Sequence, residues 1–91
     1  MQLEIVSPEA QLFSGEVQSV TVPGTSGSFQ ILNNHAPIVS TLVAGRVKIQ
    51  GTISLDESHQ SKFTQEGNVA YLDIESGAVE LNDNKVILLT D

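Results

Sequence analysis

Arg46-Val47-Lys48-Ile49-Gln50 alternates polar and apolar residues without a break. Successive side chains of a strand point to opposite faces, so Val47 and Ile49 face a core while Arg46, Lys48 and Gln50 face water. Gly51 ends the run, and Ala44-Gly45 turns the chain ahead of it. Working outward toward the N-terminus, Ile38-Val39-Ser40-Thr41-Leu42-Val43 is apolar on both parities. Ser28–Leu32 reads as a strand that follows the turn Pro23-Gly24-Thr25-Ser26-Gly27. Val17–Val22 is a strand whose apolar residues change parity midway, which implies a bulge or burial on both sides. Gln11-Leu12-Phe13 is a very short strand closed by Ser14-Gly15-Glu16. Leu3 and Ile5 share one parity of a half-buried first strand, which Ser7-Pro8-Glu9 ends because proline cannot donate to a ladder. Toward the C-terminus, Thr52–Leu55 is expected to pair with Lys62–Gln65 as a hairpin across Asp56-Glu57-Ser58-His59-Gln60. Asn68–Glu75, Ala78–Leu81 and Lys85–Thr90 complete the set, separated by a bend at Ser76-Gly77 and a tight turn at Asn82-Asp83-Asn84, residues that tolerate left-handed backbone.

The seven glycines fall almost entirely between these runs. No apolar stripe at i, i+3, i+4, i+7 lasts for the length of a helix. Short strands with turn signals at this spacing predict an all-β fold, a sandwich or flattened barrel. With 91 residues and no internal boundary, repeat or low-complexity tract, residues 1–91 read as one domain. Aromatic residues make up only 4% of the chain, so the core rests on Val, Ile and Leu.

Charge narrows the function. Eleven acidic residues against four basic ones leave a net charge of −7, and the first basic side chain is Arg46. Such a surface repels nucleic acid and anionic lipid, whose binders cluster Lys and Arg. A basic protein partner is compatible with it. There is no cysteine, so neither disulfides nor thiolate metal sites arise. Met1-Gln-Leu-Glu-Ile-Val6 lacks the pattern of a signal peptide, and no apolar run approaches the roughly 20 residues that span a bilayer. A soluble protein that stays where it is made is expected.

No catalytic constellation stands out. Asp73 and Glu75 share a strand face, but nothing near them in the chain supplies a His or Arg partner, and a solvated face is the expectation. His35 and His59 stand alone in polar loops, and Asn82-Asp83-Asn84 lacks the remaining oxygens of a calcium loop. A triad of Ser28, His35 and an aspartate has only residue type in its favour. Gly24-Thr25-Ser26-Gly27 leads into a strand and not into the helix that a phosphate cradle needs. No catalytic residue, cofactor site or metal site is expected. What the chain does offer is apolar side chains on both faces of two strands, Ile38, Val39, Leu42 in one and Ile87, Leu89 in the other. Either strand twist and end-of-sheet burial cover them, or they form a protein-contact face.

Three blocks of sequence carry a resemblance: Leu3-Glu-Ile-Val-Ser-Pro-Glu9, Leu12-Phe-Ser-Gly-Glu-Val17, and Val22-Pro-Gly with Gly27-Ser-Phe-Gln-Ile-Leu-Asn-Asn-His-Ala-Pro37. In order and at this spacing they closely resemble the epsilon subunit of F-type ATP synthase. Ser76–Val86 and Leu88–Asp91 are similar to that family's last hairpin. The resemblance implies a flattened antiparallel sandwich of about ten strands at the foot of the rotary central stalk, on the cytoplasmic side of a bacterial inner membrane. It implies a non-catalytic subunit that binds gamma laterally and the polar loops of the membrane c-ring below, coupling proton or sodium transport to ATP synthesis. By position, Ser28 and the loop Asn33, Asn34, His35, Ala36 and Pro37 would meet the c-ring. Family members often carry an acidic residue where this chain has Ser28 and glycine where it has Gln30. Ile38, Val39, Leu42, Ile87 and Leu89 are the candidates for the gamma face. Many members continue into a two-helix C-terminal domain that restrains hydrolysis. With its last hairpin ending at Asp91, this chain is expected to dock and couple without that inhibition and without a nucleotide site. The rival reading is a free-standing sandwich that binds a peptide or carbohydrate, which would need an aromatic platform built from Phe13, Phe29, Phe63 or Tyr71.

Overall fold

The computed structural model describes residues 1–91 and contains ten strands. They are β1 (Gln2–Val6), β2 (Gln11–Glu16), β3 (Ser19–Gly24), β4 (Gly27–Leu32), β5 (Ile38–Leu42), β6 (Gly45–Gln50), β7 (Phe63–Glu66), β8 (Val69–Ile74), β9 (Gly77–Asn82) and β10 (Lys85–Thr90). The one helical element is a 3₁₀ turn at Gln60–Lys62. Hydrogen bonding links the strands in the order β2-β1-β10-β9-β5-β3-β6-β8-β7, with β4 on the other edge of β3. A single bridge, Gly24 to Leu42, joins β3 to β5. At this seam the sheet folds over on itself into two layers, β2-β1-β10-β9-β5 against β4-β3-β6-β8-β7.

The core lies between the layers. Leu3, Ile5, Val79, Leu81, Val86 and Leu88 come from one side, and Val20, Val22, Ile31, Val47, Ile49 and Ala70 from the other, all essentially without exposure. Strict two-residue alternation places them there, as in β6, where Val47 and Ile49 are buried and Arg46 and Lys48 exposed. Nearly every pairing is antiparallel. β1 is the exception, lying parallel to β10 with Leu3 beside Val86 and Ile5 beside Leu88. The sandwich is therefore mixed, because the chain begins and ends on neighbouring strands that run the same way.

Tertiary pairing revises several local readings. Ser14-Gly15-Glu16 does not close β2 but continues it, paired with Gln2–Glu4. A register shift between Ile5 and Val6 lets Leu12 and Phe13 both turn inward. The parity change in Val17–Val22 arises because Val17 precedes β3, buried in a link whose N–H donates to the Met1 carbonyl. Pro23-Gly24 belongs to β3, so the turn is only Thr25-Ser26. The expected hairpin of Thr52–Leu55 with Lys62–Gln65 does not form. Gly51, at φ +148°, redirects the chain, and β7 pairs with β8 across Gly67-Asn68. Ile53 and Leu55 instead rest half-buried against the core, with the Gln65 side chain reaching the Ile53 carbonyl at 3.4 Å.

Asn82-Asp83-Asn84 forms the expected turn. Asn82 pairs with Lys85, and Asp83 and Asn84 both adopt positive φ, 50° and 60°. That is the backbone of a two-residue hairpin whose twist matches its strands.

Candidate interaction surfaces

The outer face of the β2-β1-β10-β9-β5 layer carries the apolar residues that the core does not absorb. Register sets Val39, Glu80, Ile87 and Glu4 in one row across β5, β9, β10 and β1. Thr41, Ala78, Leu89 and Val6 form the next. Val39 is 82% exposed and Leu89 51%, and with Ala78 and Ile87 they line a shallow groove. Scattered apolar residues on a surface mean little, but neighbours in register form a contiguous patch. Of the five residues read as a contact face, the structure brings together Val39, Ile87 and Leu89. Leu42 turns inward and is buried, and Ile38 packs against the core, so neither presents its side chain on this patch. Alternation sends half of each apolar run inside and leaves the other half outside.

Every residue of the loop Asn33–Pro37 is exposed, yet the loop is tied down. The Asn34 N–H donates to Oδ1 of Asn84 at 2.8 Å, and Nδ2 of Asn84 donates to Oδ1 of Asn33 at 2.8 Å. One amide from the β9–β10 turn thereby clamps a loop 50 residues away in sequence. The His35 N–H returns to the Leu32 carbonyl at 3.2 Å, and its ring Nδ1 lies 2.7 Å from the Ala36 carbonyl. A carbonyl only accepts, so that contact places the ring proton on Nδ1. Asn34 takes positive φ, 62°, which asparagine tolerates. Ser28 does not join this group. It lies in β4 opposite Pro23 of β3, five residue steps or roughly 16 Å of strand from Asn33.

The outer face of the other layer is polar. Arg46 Nε donates to Asp73 Oδ1 at 2.9 Å, and its guanidinium lies 5.1 Å from the centre of the Tyr71 ring. This corrects the sequence reading that Asp73 has no Arg partner: the two are 27 residues apart but adjacent in register on β6 and β8. The Arg46 hydrogen bond holds the Asp73 carboxyl below its ordinary range and raises the guanidinium in turn. Asp56 is lowered likewise by the Ser58 backbone N–H and hydroxyl. Asp91 accepts from the Thr90 hydroxyl and from the Glu75 and Ser76 N–H groups, which lower it in the same way and brace the turn between the layers. Sequence reasoning missed both the Asn84 clamp and this brace, since each joins residues far apart in the chain.

Phe13 and Phe63 are buried, Phe29 packs against the core, and Tyr71 lies under Arg46, so no aromatic platform stands free. No group of three or more His, Asp or Glu converges as a metal cage would require. No helix is long and apolar enough to cross a membrane. Fold and surfaces together define a β-sandwich interaction domain, with an apolar face on one layer and a clamped polar loop at one end. The family model for the ATP synthase delta/epsilon chain beta-sandwich domain matches residues 1–91. The ATP synthase epsilon chain of Chlorobium limicola is 40% identical over 90 residues, 99% of this chain and 88% of that one. That of Leptospira interrogans is 38% identical over 91 residues, with all of this chain covering 61% of the relative. The same fold recurs, at 17% identity and a TM-score of 0.77 over 99% of this chain and 62% of the other, in the central stalk and c-ring structure of Tetrahymena thermophila mitochondrial ATP synthase. The chain belongs to the beta-sandwich domain family of ATP synthase delta and epsilon chains.

Proposed function

We propose that this domain works in the rotor of an F-type ATP synthase, joining the gamma subunit of the central stalk to the polar loops of the c-ring so that ion flow drives ATP synthesis. It sits peripherally, on the cytoplasmic side of a bacterial inner membrane. The observation that carries this reading is the exposed apolar patch of Val39, Ala78, Ile87 and Leu89, on a sandwich whose core is otherwise closed. A stiff, close-packed interior transmits force without dissipating it in side-chain rearrangement. The patch faces gamma, and the clamped loop with His35 faces the ring. The patch supplies the dry centre of a contact that needs about 1,600 Å² in all to be stable.

The test replaces Val39 and Leu89 together by aspartate. Both side chains are exposed, so the variant should fold, with a modest loss of thermal stability because a new carboxylate faces Glu80, while co-purification with gamma is lost. Retained binding by a folded Val39→Asp/Leu89→Asp variant would place gamma elsewhere. The rival reading of a free peptide or carbohydrate binder loses its main support, because the four aromatic rings are buried, packed or covered.

A further inference from the structure

Glu80 stands in the middle of the apolar patch. Its partners in register are Val39 on β5 and Ile87 on β10, and its carboxylate makes no ion pair. The cation nearest in register, Lys85, lies 3.6 Å from Glu4 and is engaged there. The other three basic side chains belong elsewhere: Arg46 is paired with Asp73 on the opposite layer, Lys48 stands on β6 beside Tyr71, and Lys62 closes the 3₁₀ turn.

In water this arrangement costs nothing, since the carboxylate is exposed and hydrated. It becomes costly when the patch is covered. Val39, Ile87 and Leu89 cannot be buried without drying the carboxylate between them, and a dried, unpaired charge opposes association. A wholly apolar partner therefore does not fit this face. Resting on the docking reading above, we infer that the partner surface carries a lysine or arginine side chain that meets Glu80, ringed by apolar side chains that fill the groove around it. The division of labour follows from the physics. Apolar contact is non-directional and supplies affinity, whereas one charge pair at its centre sets register and rejects surfaces that lack the cation. Glu80 is then the specificity-determining residue of the face.

Wild type, Glu80→Gln, Glu80→Lys and the Val39→Asp/Leu89→Asp variant are compared for binding to purified gamma subunit by calorimetry, each with a thermal melt. Glu80 is exposed, so both Glu80 variants should melt close to wild type. Glu80→Gln keeps the shape and loses the charge, and it should weaken binding about tenfold or more, with Glu80→Lys weaker again. Binding by Glu80→Gln that equals or exceeds wild type, while Val39→Asp/Leu89→Asp still abolishes it, overturns the inference and leaves the docking reading standing. Undiminished binding by all variants, or no binding by wild type, overturns both.

Discussion

Replacing Asn84 with glycine tests what holds the Asn33–Pro37 loop in shape. Asn84 has left-handed backbone, φ 60°, which glycine adopts without strain, so the β9–β10 turn should survive. The loss is confined to the side-chain amide and its two hydrogen bonds to Asn33 and Asn34, both 2.8 Å. At about 1 kcal/mol net for each such bond, the closed loop loses about 2 kcal/mol relative to an open one. That corresponds to a fall of about 30-fold in the ratio of closed to open forms. Amide exchange at His35, whose N–H keeps its Leu32 acceptor, reads this ratio: protection there should drop by about that factor and remain on β9 and β10. The melting temperature should fall with it, by at most about 8–16 °C, because the folded state loses the same two bonds. If the loop meets the c-ring, Asn84→Gly should weaken ring binding through lost order, whereas His35→Ala should weaken it with loop protection intact. Unchanged exchange at His35 in the glycine variant would refute the reasoning, showing that Leu32–Pro37 holds its own shape without the clamp.

Two further outcomes follow from the packing and the charges. At Gly77 an added Cβ would collide with the Leu89 carbonyl, a backbone atom that cannot swing aside, so Gly77→Ala should destabilise the domain by roughly 1–3 kcal/mol in denaturant titration; a neutral result would mean that β9 and β10 shift apart freely. Asp91 titrates below the ordinary aspartate value in the folded protein, chiefly because the Thr90 hydroxyl donates to it, so its contribution is complete above about pH 4 and fades as pH falls through the lowered value. Acid titration followed by NMR should show the Glu75 and Ser76 amides shifting together with the Asp91 carboxyl below the usual carboxylate range, and an ordinary Asp91 titration midpoint would contradict the brace.

What could be read from the chain alone was whatever depends on neighbours within a few residues. Alternation in Arg46–Gln50 and Leu3–Ile5, the left-handed turn at Asp83-Asn84 and the absence of any helical period all act locally, and together they determined an all-β domain and four of its buried side chains, Leu3, Ile5, Val47 and Ile49. Three sequence blocks, ending at His35-Ala36-Pro37, were enough to point to the ATP synthase family. The failures lie where a partner strand decides. Thr52–Leu55 has a strand's alternation, but Gly51 redirects the chain and only the Gln65 side chain of β7 reaches it. Ser14-Gly15-Glu16 has a turn's composition, yet β1 holds it extended.

The candidate surfaces divide along the same line. Period two determined that Ile87 and Leu89 lie on one face of their strand and Val86 and Leu88 on the other, but not which pair meets the core. Only the stacking of the two layers settled that, burying Leu42 and leaving Val39 outside. The pairing of Arg46 with Asp73, the Asn84 clamp and the isolation of Glu80 likewise belong to the tertiary structure. Each depends on register between distant strands, a quantity fixed by the global closure of the sandwich and written in no short stretch of the chain.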